Sequence, residues 1–399
     1  MNLDKLKTTQ GIDVKGKRVL VRADLNVPVK NGKVTDATRL ERLVPGLKDL
    51  ASRGAKVIVI SHFGRPKGGP EPEFTLQPVA ETLGQLIGKR IAFGADCIGP
   101  VAASTVGALK DGDIAVLENL RFHMGEEKND PGFAAELAKL GDIFVGDAFS
   151  CAHRAHASTE GLTHHLPSYA GPLLMEEINA LRAALEKPQR PTAAIVGGMK
   201  VSTKIPVLTN LVAKVDKLII GGGMANTFLQ SMGKMVGQSF AEPEFHSLAR
   251  EIMAEAKQKG CELVLPLDAV VADEFAEDVE TKIVNIHKVP IDKMILDVGP
   301  ESVANVAKIL EGCKTVVWNG PMGAFEIAIF AQGTFQLARQ VASLTKAGKL
   351  VSVAGGGDTV AALNAAGAAG DFTYVSTAGG AFLEWLEGVE LPGVVALTR

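Results

Sequence analysis

One pattern recurs down this 399-residue chain: a short apolar run, a turn rich in glycine or charge, then apolar residues at helical spacing. The early runs are "RVLVRAD" (18–24), "KVIVISH" (56–62), "DIAVLEN" (113–119) and "DIFVGDA" (142–148). They are β-branched and apolar on both faces, as strands of a parallel sheet covered by helices on both sides must be. The pattern returns as "TAAIVGG" (192–198), "KLIIGGG" (217–223), "ELVLPLD" (262–268), "MILDVGP" (294–300), "TVVWNGP" (315–321), "LVSVAGG" (350–356) and "YVSTAGG" (374–380). All seven are predicted strands of a second parallel sheet.

Between the two series lies "PLLMEEINALRAALEKPQR" (172–190), with Leu173, Leu174, Ile178, Leu181 and Leu185 at helical spacing and Pro188 as a stop. The predicted fold class is α/β: two doubly wound parallel-sheet domains, 1–172 and 188–389, joined by a long interdomain helix, 173–187. A chain of this length exceeds one ordinary core, so two domains are expected. The 43 glycines against two tryptophans and two tyrosines also suit tight strand-to-helix turns. A net charge of −3 gives no reason to expect nucleic-acid or membrane partners. The cysteines (Cys97, Cys151, Cys261, Cys313) are far apart and form no CxxC pair, so they read as reduced thiols. The N-terminal stretch has no apolar segment of the secretory kind, and the expected compartment is the cytoplasm.

Ligands of open parallel sheets bind beyond the carboxyl ends of the strands. In the first half those ends carry Asp24 and Asn26, then Arg39; His62 and Arg65; Arg121; and Arg154 beside His153 and His156. Nine of the first 170 residues are arginine, against five of the remaining 229. Arginine's planar fork grips carboxylate and phosphate oxygens in pairs, so this half is predicted to bind a small, multiply charged anion. Arg22 lies within a strand and reads as structural. His153 and His156 lack a third ligand for zinc, and His164 and His165 read as ordinary loop residues.

The second half ends its strands in "GGMKVSTK", "GGGMANTF", "NGPMGAFE", "GGGDTVAAL" and "STAGGAFLEWLEG". Glycine admits phosphate oxygens close to backbone N–H groups, and a following helix adds its positive end. Lys200 and Lys204, four apart, are predicted to share the face of a helix's first turns. Asp358 has two readings, as an N-cap or as a ligand of nucleotide-bound Mg²⁺, and the second is preferred because a carboxylate beside polyphosphate needs a cation between them. GxxxxGK[ST], GxGxxG after a strand, and GxSxG are all absent, against a P-loop protein, a Rossmann dehydrogenase and a serine hydrolase.

Together "VRADLNVP", "SHFGRP", "LENLRF", "WNGPMGAFE", "GGGDT" and "LEGVELPG" resemble phosphoglycerate kinases in order and spacing over essentially the whole chain. The resemblance implies two Rossmann-like domains and reversible phosphoryl transfer between 1,3-bisphosphoglycerate and MgADP, giving 3-phosphoglycerate and MgATP. It places Asp24, Asn26, Arg39, His62, Arg65, Arg121 and Arg154 on substrate positions. Lys200, Lys204, Gly222, Gly223, Asn319, Pro321, Glu326 and Gly355, Gly356, Gly357, Asp358 and Thr359 fall on nucleotide positions, with Asp358 the metal ligand. Arg39, Lys200 and the backbone at Gly379 and Gly380 are implied to stabilise the migrating phosphoryl group. A monomer is expected, with domain closure about the interdomain helix and with 390–399 returning to the N-terminal domain. Met199 and Ala378 depart from the family pattern, and alanine disfavours a positive φ that glycine tolerates. The rival readings are another two-domain kinase of a phosphorylated carboxylic acid and a non-catalytic nucleotide-binding regulator.

Overall fold

A computed structural model describes residues 2–399. The chain forms two compact units: residues up to Ile178 together with Glu390–Arg399, and Asn179–Val389. The first contains a six-stranded sheet, in the order Ala92–Gly94, Ile114–Leu117, Lys56–Ile60, Arg18–Arg22, Ile143–Gly146, Ser168–Ala170. Every pairing is parallel, with Leu20 opposite Ile58 on one side and Phe144 on the other. Val19 and Val21 pack with Leu40, Leu43 and Leu47 of helix Thr38–Ser52 and with Leu83 of helix Gln77–Ile87. Leu20, Ile58 and Phe144 alternate with that set and are equally buried. Both faces are therefore covered, as the two-sided apolar runs require.

The second unit's large sheet runs Glu262–Val264, Lys217–Ile220, Thr192–Val196, Thr315–Asn319, Val351–Gly355, Tyr374–Ser376, again all parallel. Two of the predicted parallel strands need correction. Only Glu262–Val264 of the run 262–268 joins this sheet. Asp268–Ala272 starts a separate antiparallel sheet with Lys282–Asn285 and Met294–Val298. A run apolar on both sides reports burial, not the direction of its partner, so 294–300 was indistinguishable from a parallel strand. Buried Asp268 anchors this sheet to helix Pro300–Glu311 by accepting from the N–H groups of Glu301 (2.9 Å) and Ser302 (2.8 Å).

The helix expected at 173–187 is present as Pro172–Leu181, continued by a π-helical turn, Arg182–Glu186. Its start is fixed from a distance: Asp147 Oδ1 accepts from Leu173 N (2.7 Å) and Leu174 N (3.1 Å), satisfying N–H groups that no preceding turn can pair. All four cysteines are free and buried. Among the described residues no helix is long and apolar enough to cross a membrane.

Candidate active site

In the first unit the predicted anion ligands lie beyond the ends of the central strands, Asp24, Asn26, His62, Arg65 and Arg154 in loops, Arg39 in the first turn of helix Thr38–Ser52 and Arg121 in the 3₁₀ turn Leu120–Phe122. Asp24 Oδ2 accepts from Arg39 Nη1 (3.0 Å) and Ser150 Oγ (2.5 Å). The same Arg39 nitrogen donates to Asn26 O (2.7 Å), and Asn26 Oδ1 accepts from Gly64 N (3.0 Å). Arg121 donates to Gly64 O (2.8 Å) and pairs with Glu127 (3.3 Å). Asp24, Asn26, Arg39 and Arg121 are thus gathered round the loop that carries His62 and Arg65. Arg65 and Arg154 are exposed, the latter donating to His153 Nε2 (3.2 Å).

Behind these groups Arg22 is 2% exposed. It donates to Ser158 Oγ (2.7 Å), Ala23 O (2.5 Å) and His62 Nδ1 (3.1 Å). Ser158 in turn donates to Glu126 Oε1 (2.5 Å). Arg22 has only donors, so His62 Nδ1 must accept and the ring proton sits on Nε2. Burial and the charges of Arg22, Arg121 and Arg39 push His62 down to about 2. Burial, Arg121 and Arg22 push His156 down to about 4. Both rings are therefore neutral hydrogen-bonding groups at physiological pH.

In the second unit three strand ends are stitched together through backbone. Gly198 N donates to Pro321 O (3.1 Å), Gly222 N to Met322 O (2.8 Å) and Met224 N to Gly198 O (3.0 Å). A Cβ at Gly222 would stand 2.5 Å from Gly198 O, and its φ is +68°, so only glycine closes this floor. Beside it lies a cavity of about 340 Å³, lined by Leu229, Phe240, Phe275, Met294 and Met322, by Gly222 and Gly223, and by exposed Glu326 and Asp358. Its size and apolar lining fit a flat heterocycle, with polar groups left to orient it. Met199 lines this cavity as well.

Lys200 and Lys204 do not share a helical face. They bracket the 3₁₀ turn Val201–Thr203, because Pro206 at the helix start places the first α-helical residue at Ile205. Lys200 is exposed. Lys204 donates to Asn319 Oδ1, and burial lowers its pKa while the charges of Asp358 and Glu387 oppose the drop. Asn319 also donates to Gly355 O (2.8 Å), and Thr359 Oγ1 accepts from Gly320 N (2.7 Å).

The N-cap of helix Gly357–Ala365 is Gly356, at φ +100°, and not Asp358. Asp358 lies one residue inside the helix and makes no capping bond. An exposed, uncapping carboxylate at a helix start beside a lysine fits a hard oxygen-seeking cation such as Mg²⁺. Nothing lies within 4 Å of where a Gly357 Cβ would stand, so its backbone is open to a ligand. At the last predicted loop, Gly379 carries the left-handed φ (+58°) and caps helix Gly380–Leu386. Ala378 is absent from the positive-φ residues, so the alanine there is unstrained.

Sequence reasoning missed Ser150, which braces Asp24, and Asn119. The latter is fully buried and binds Phe63 N, Phe63 O, Phe74 O and Arg121 N. Its presence in "LENLRF" was the available signal. His164, read as an ordinary loop residue, ends the 3₁₀ turn Gly161–His164 and pairs with Glu160 (2.7 Å), which also holds Arg399 (2.9 Å).

Two parallel-sheet units, one ending its strands in permanent cations and the other in glycine turns around an apolar cavity, define a phosphotransferase-like α/β protein. A family model described as phosphoglycerate kinase matches residues 9–389. A phosphoglycerate kinase of Methylorubrum extorquens is 59% identical over 96% of this chain and 96% of its own. That of Bradyrhizobium diazoefficiens is 58% identical over 99% of both. The solved phosphoglycerate kinase from Coxiella burnetii superposes with a TM-score of 0.93 at 44% identity, over 98% of this chain and 99% of its own. The chain belongs to the phosphoglycerate kinase family and is a kinase.

Proposed function

We propose that the chain moves a phosphoryl group reversibly between 1,3-bisphosphoglycerate and MgADP, giving 3-phosphoglycerate and MgATP, by positioning and charge alone. In the reverse direction the nucleophile is the carboxylate of 3-phosphoglycerate. Carboxylates of this kind ionise near ~4, so no proton has to be removed. The observation that carries this reading is the make-up of the first-unit site. Its arginines are permanent cations, and the imidazoles beside them, His62 and His156, are held too acidic to serve as bases near pH 7.

Arg65, Arg121 and Arg154 would hold the distal phosphate, with His62 Nε2–H as a neutral donor. Asp24 and Asn26 orient Arg39 by the contacts above and leave its remaining N–H groups for the migrating phosphoryl oxygens, which Lys200 meets from the nucleotide side. Lys204, the turn Gly355–Thr359 and the helix start at Gly379–Gly380 would bind nucleotide phosphates. Glu326 would take the ribose hydroxyls beside Asn319 and Pro321. Asp358 would hold the Mg²⁺, which neutralises phosphate charge when bound. Electrostatic donors that are already in place act without reorganisation as charge shifts.

Arg39→Met and Lys200→Met should each lower kcat roughly 10²–10³-fold in a coupled assay with 3-phosphoglycerate and ATP. Turnover within threefold of the parent in both variants would refute the assignment. The two ligand sets belong to different units, and domain closure, which the family resemblance implies, is the step we propose brings the two ligands together. We take the linking helix as the hinge; its π-helical turn at Arg182–Glu186, a break in the regular ladder, supports that reading. We further read the chain as a cytoplasmic protein with no nucleic-acid or membrane partner, on its net charge of −3 and its free cysteines, and as a monomer on the family resemblance alone. X-ray scattering should report the mass of one chain and a smaller radius of gyration with both ligands than with either. A dimer mass, or no compaction, would count against this part of the reading.

A further inference from the structure

Away from the arginine set, three potential metal ligands of different chemistry converge in the first unit. Asp96, Cys97 and His123 present one carboxylate oxygen, one sulfur and one ring nitrogen, all within 4.8 Å of one another. Asp96 Oδ1 already meets His123 Nε2 at 2.7 Å and accepts from Cys97 N at 2.7 Å. Cys97 is fully buried, whereas the side chains of His123 and Asp96 are 30% and 39% exposed. The sulfur therefore forms a fixed floor and the other two ligands form a rim that can be reached from solvent. His123 is itself steadied by stacking on Phe133, with ring centroids 5.3 Å apart.

We propose that Asp96, Cys97 and His123 form a three-ligand site for a borderline-soft divalent ion of the zinc class, with water in the fourth position. Sulfur and imidazole donors select Zn²⁺ or Co²⁺ over Mg²⁺ and Ca²⁺, which take oxygen. Bond lengths of roughly 2.0–2.3 Å in a tetrahedron place ligand atoms roughly 3.3–3.8 Å apart. The present spread thus closes with modest rotations of the two partly exposed side chains while Cys97 stays put. On binding, the Cys97 S–H bond breaks, its proton passes to solvent and the sulfur's electron pair goes to the metal. The proton that His123 Nε2 now donates to Asp96 Oδ1 leaves that nitrogen, Nδ1 taking up a proton from solvent so that the ring stays neutral, and the freed Nε2 lone pair and the Asp96 oxygen each bond the ion.

Co²⁺ titrated into the nucleotide-free, reduced full chain is the test. One equivalent should produce a thiolate-to-cobalt charge-transfer band and the visible bands of a tetrahedral ion, and Zn²⁺ should abolish both. C97S should remove the charge-transfer band, and H123N should weaken Co²⁺ binding at least tenfold, each with an unchanged circular dichroism spectrum. If C97S does not fold, H123N and D96N at the rim decide alone. Titration of H123N and D96N like the parent, survival of the charge-transfer band in C97S, or displacement of Co²⁺ by equimolar Mg²⁺ would each overturn the site.

Discussion

Arg22 and Arg65 show what residue type alone reveals and what it conceals. Both are arginines near strand ends, yet one is sealed in the core and the other is open to solvent. Arg22 reaches Glu126 through Ser158, and Glu126 is wholly buried with its pKa raised by that burial against the pull of Arg22. Glu126 accepts from both Ser158 Oγ and Ser158 N in the core, and disturbing such a buried network costs about 1–3 kcal/mol. Glu126→Gln should therefore lower the unfolding free energy by an amount of that order in urea titration. Arg65→Ala, at an exposed position, should change it by no more than about 0.5 kcal/mol while raising KM for 3-phosphoglycerate. Equal stability losses in the two variants would contradict this division. The arginine set was legible because strand ends and arginine's chemistry both show in the sequence. The Arg22–Ser158–Glu126 relay was not. Its members lie more than 30 residues apart, in stretches such as "MGEEKND" and "AHAST" that carry no periodic signal.

At the scale of elements, the long central strands were legible and the sheet edges were not. Ala92–Gly94 and Ser168–Ala170 are three-residue edge strands, too short for a period to register. The linking helix was legible from its leucines, but its N-terminal anchor, Asp147, comes from a strand end 25 residues earlier. Burial raises Asp147 to about 7, while its hydrogen bonds from Leu174 and Leu173 and the charge of Arg42 oppose the rise and Glu176 adds to it. An aspartate in an unfolded chain titrates near ~3.9. Between those values the folded state holds a proton that the unfolded state has released. The associated stability is complete below about pH 4 and is lost as pH rises through 7. Asp297, also raised to about 7 by burial, adds to the same trend. Asp147→Asn keeps the accepting oxygen but cannot ionise, so the fall in unfolding free energy from pH 5 to 8 should be shallower than in the parent. Asp147→Ala also loses both contacts to the helix start, at a cost of about 1–2 kcal/mol. Parallel pH profiles for the parent and Asp147→Asn would show that this carboxyl does not titrate as described.

Over the whole molecule, the division into an arginine-rich and a glycine-rich half was visible in composition. The return of the chain's end was not, because "PGVVALTR" is too short to name its partner and was expected only through the family resemblance. Glu390–Arg399 belongs to the first unit. Gly393 N donates to Ala152 O (2.8 Å), Arg399 pairs with Glu160 (2.9 Å), and Leu397 sits so close to Gly146 that a Cβ there would meet it at 3.0 Å. Leu391, Val394 and Leu397 are at most 3% exposed. At about 1.5–3 kcal/mol for each buried side chain, their loss would cost roughly 5–9 kcal/mol as an upper bound. That is comparable to the whole stability of an ordinary domain, about 5–15 kcal/mol. The contacts also reach Ala152 and Gly146, on the strand end and loop that lead to Arg154. A chain ending at Val389 should therefore lose the cooperative unfolding of its first unit and its binding of 3-phosphoglycerate. The second unit is continuous from Asn179 to Val389 and should still bind ADP. Calorimetric titration of each ligand into the truncated chain separates the two effects. Unchanged 3-phosphoglycerate affinity would mean that the first unit is complete without its last ten residues.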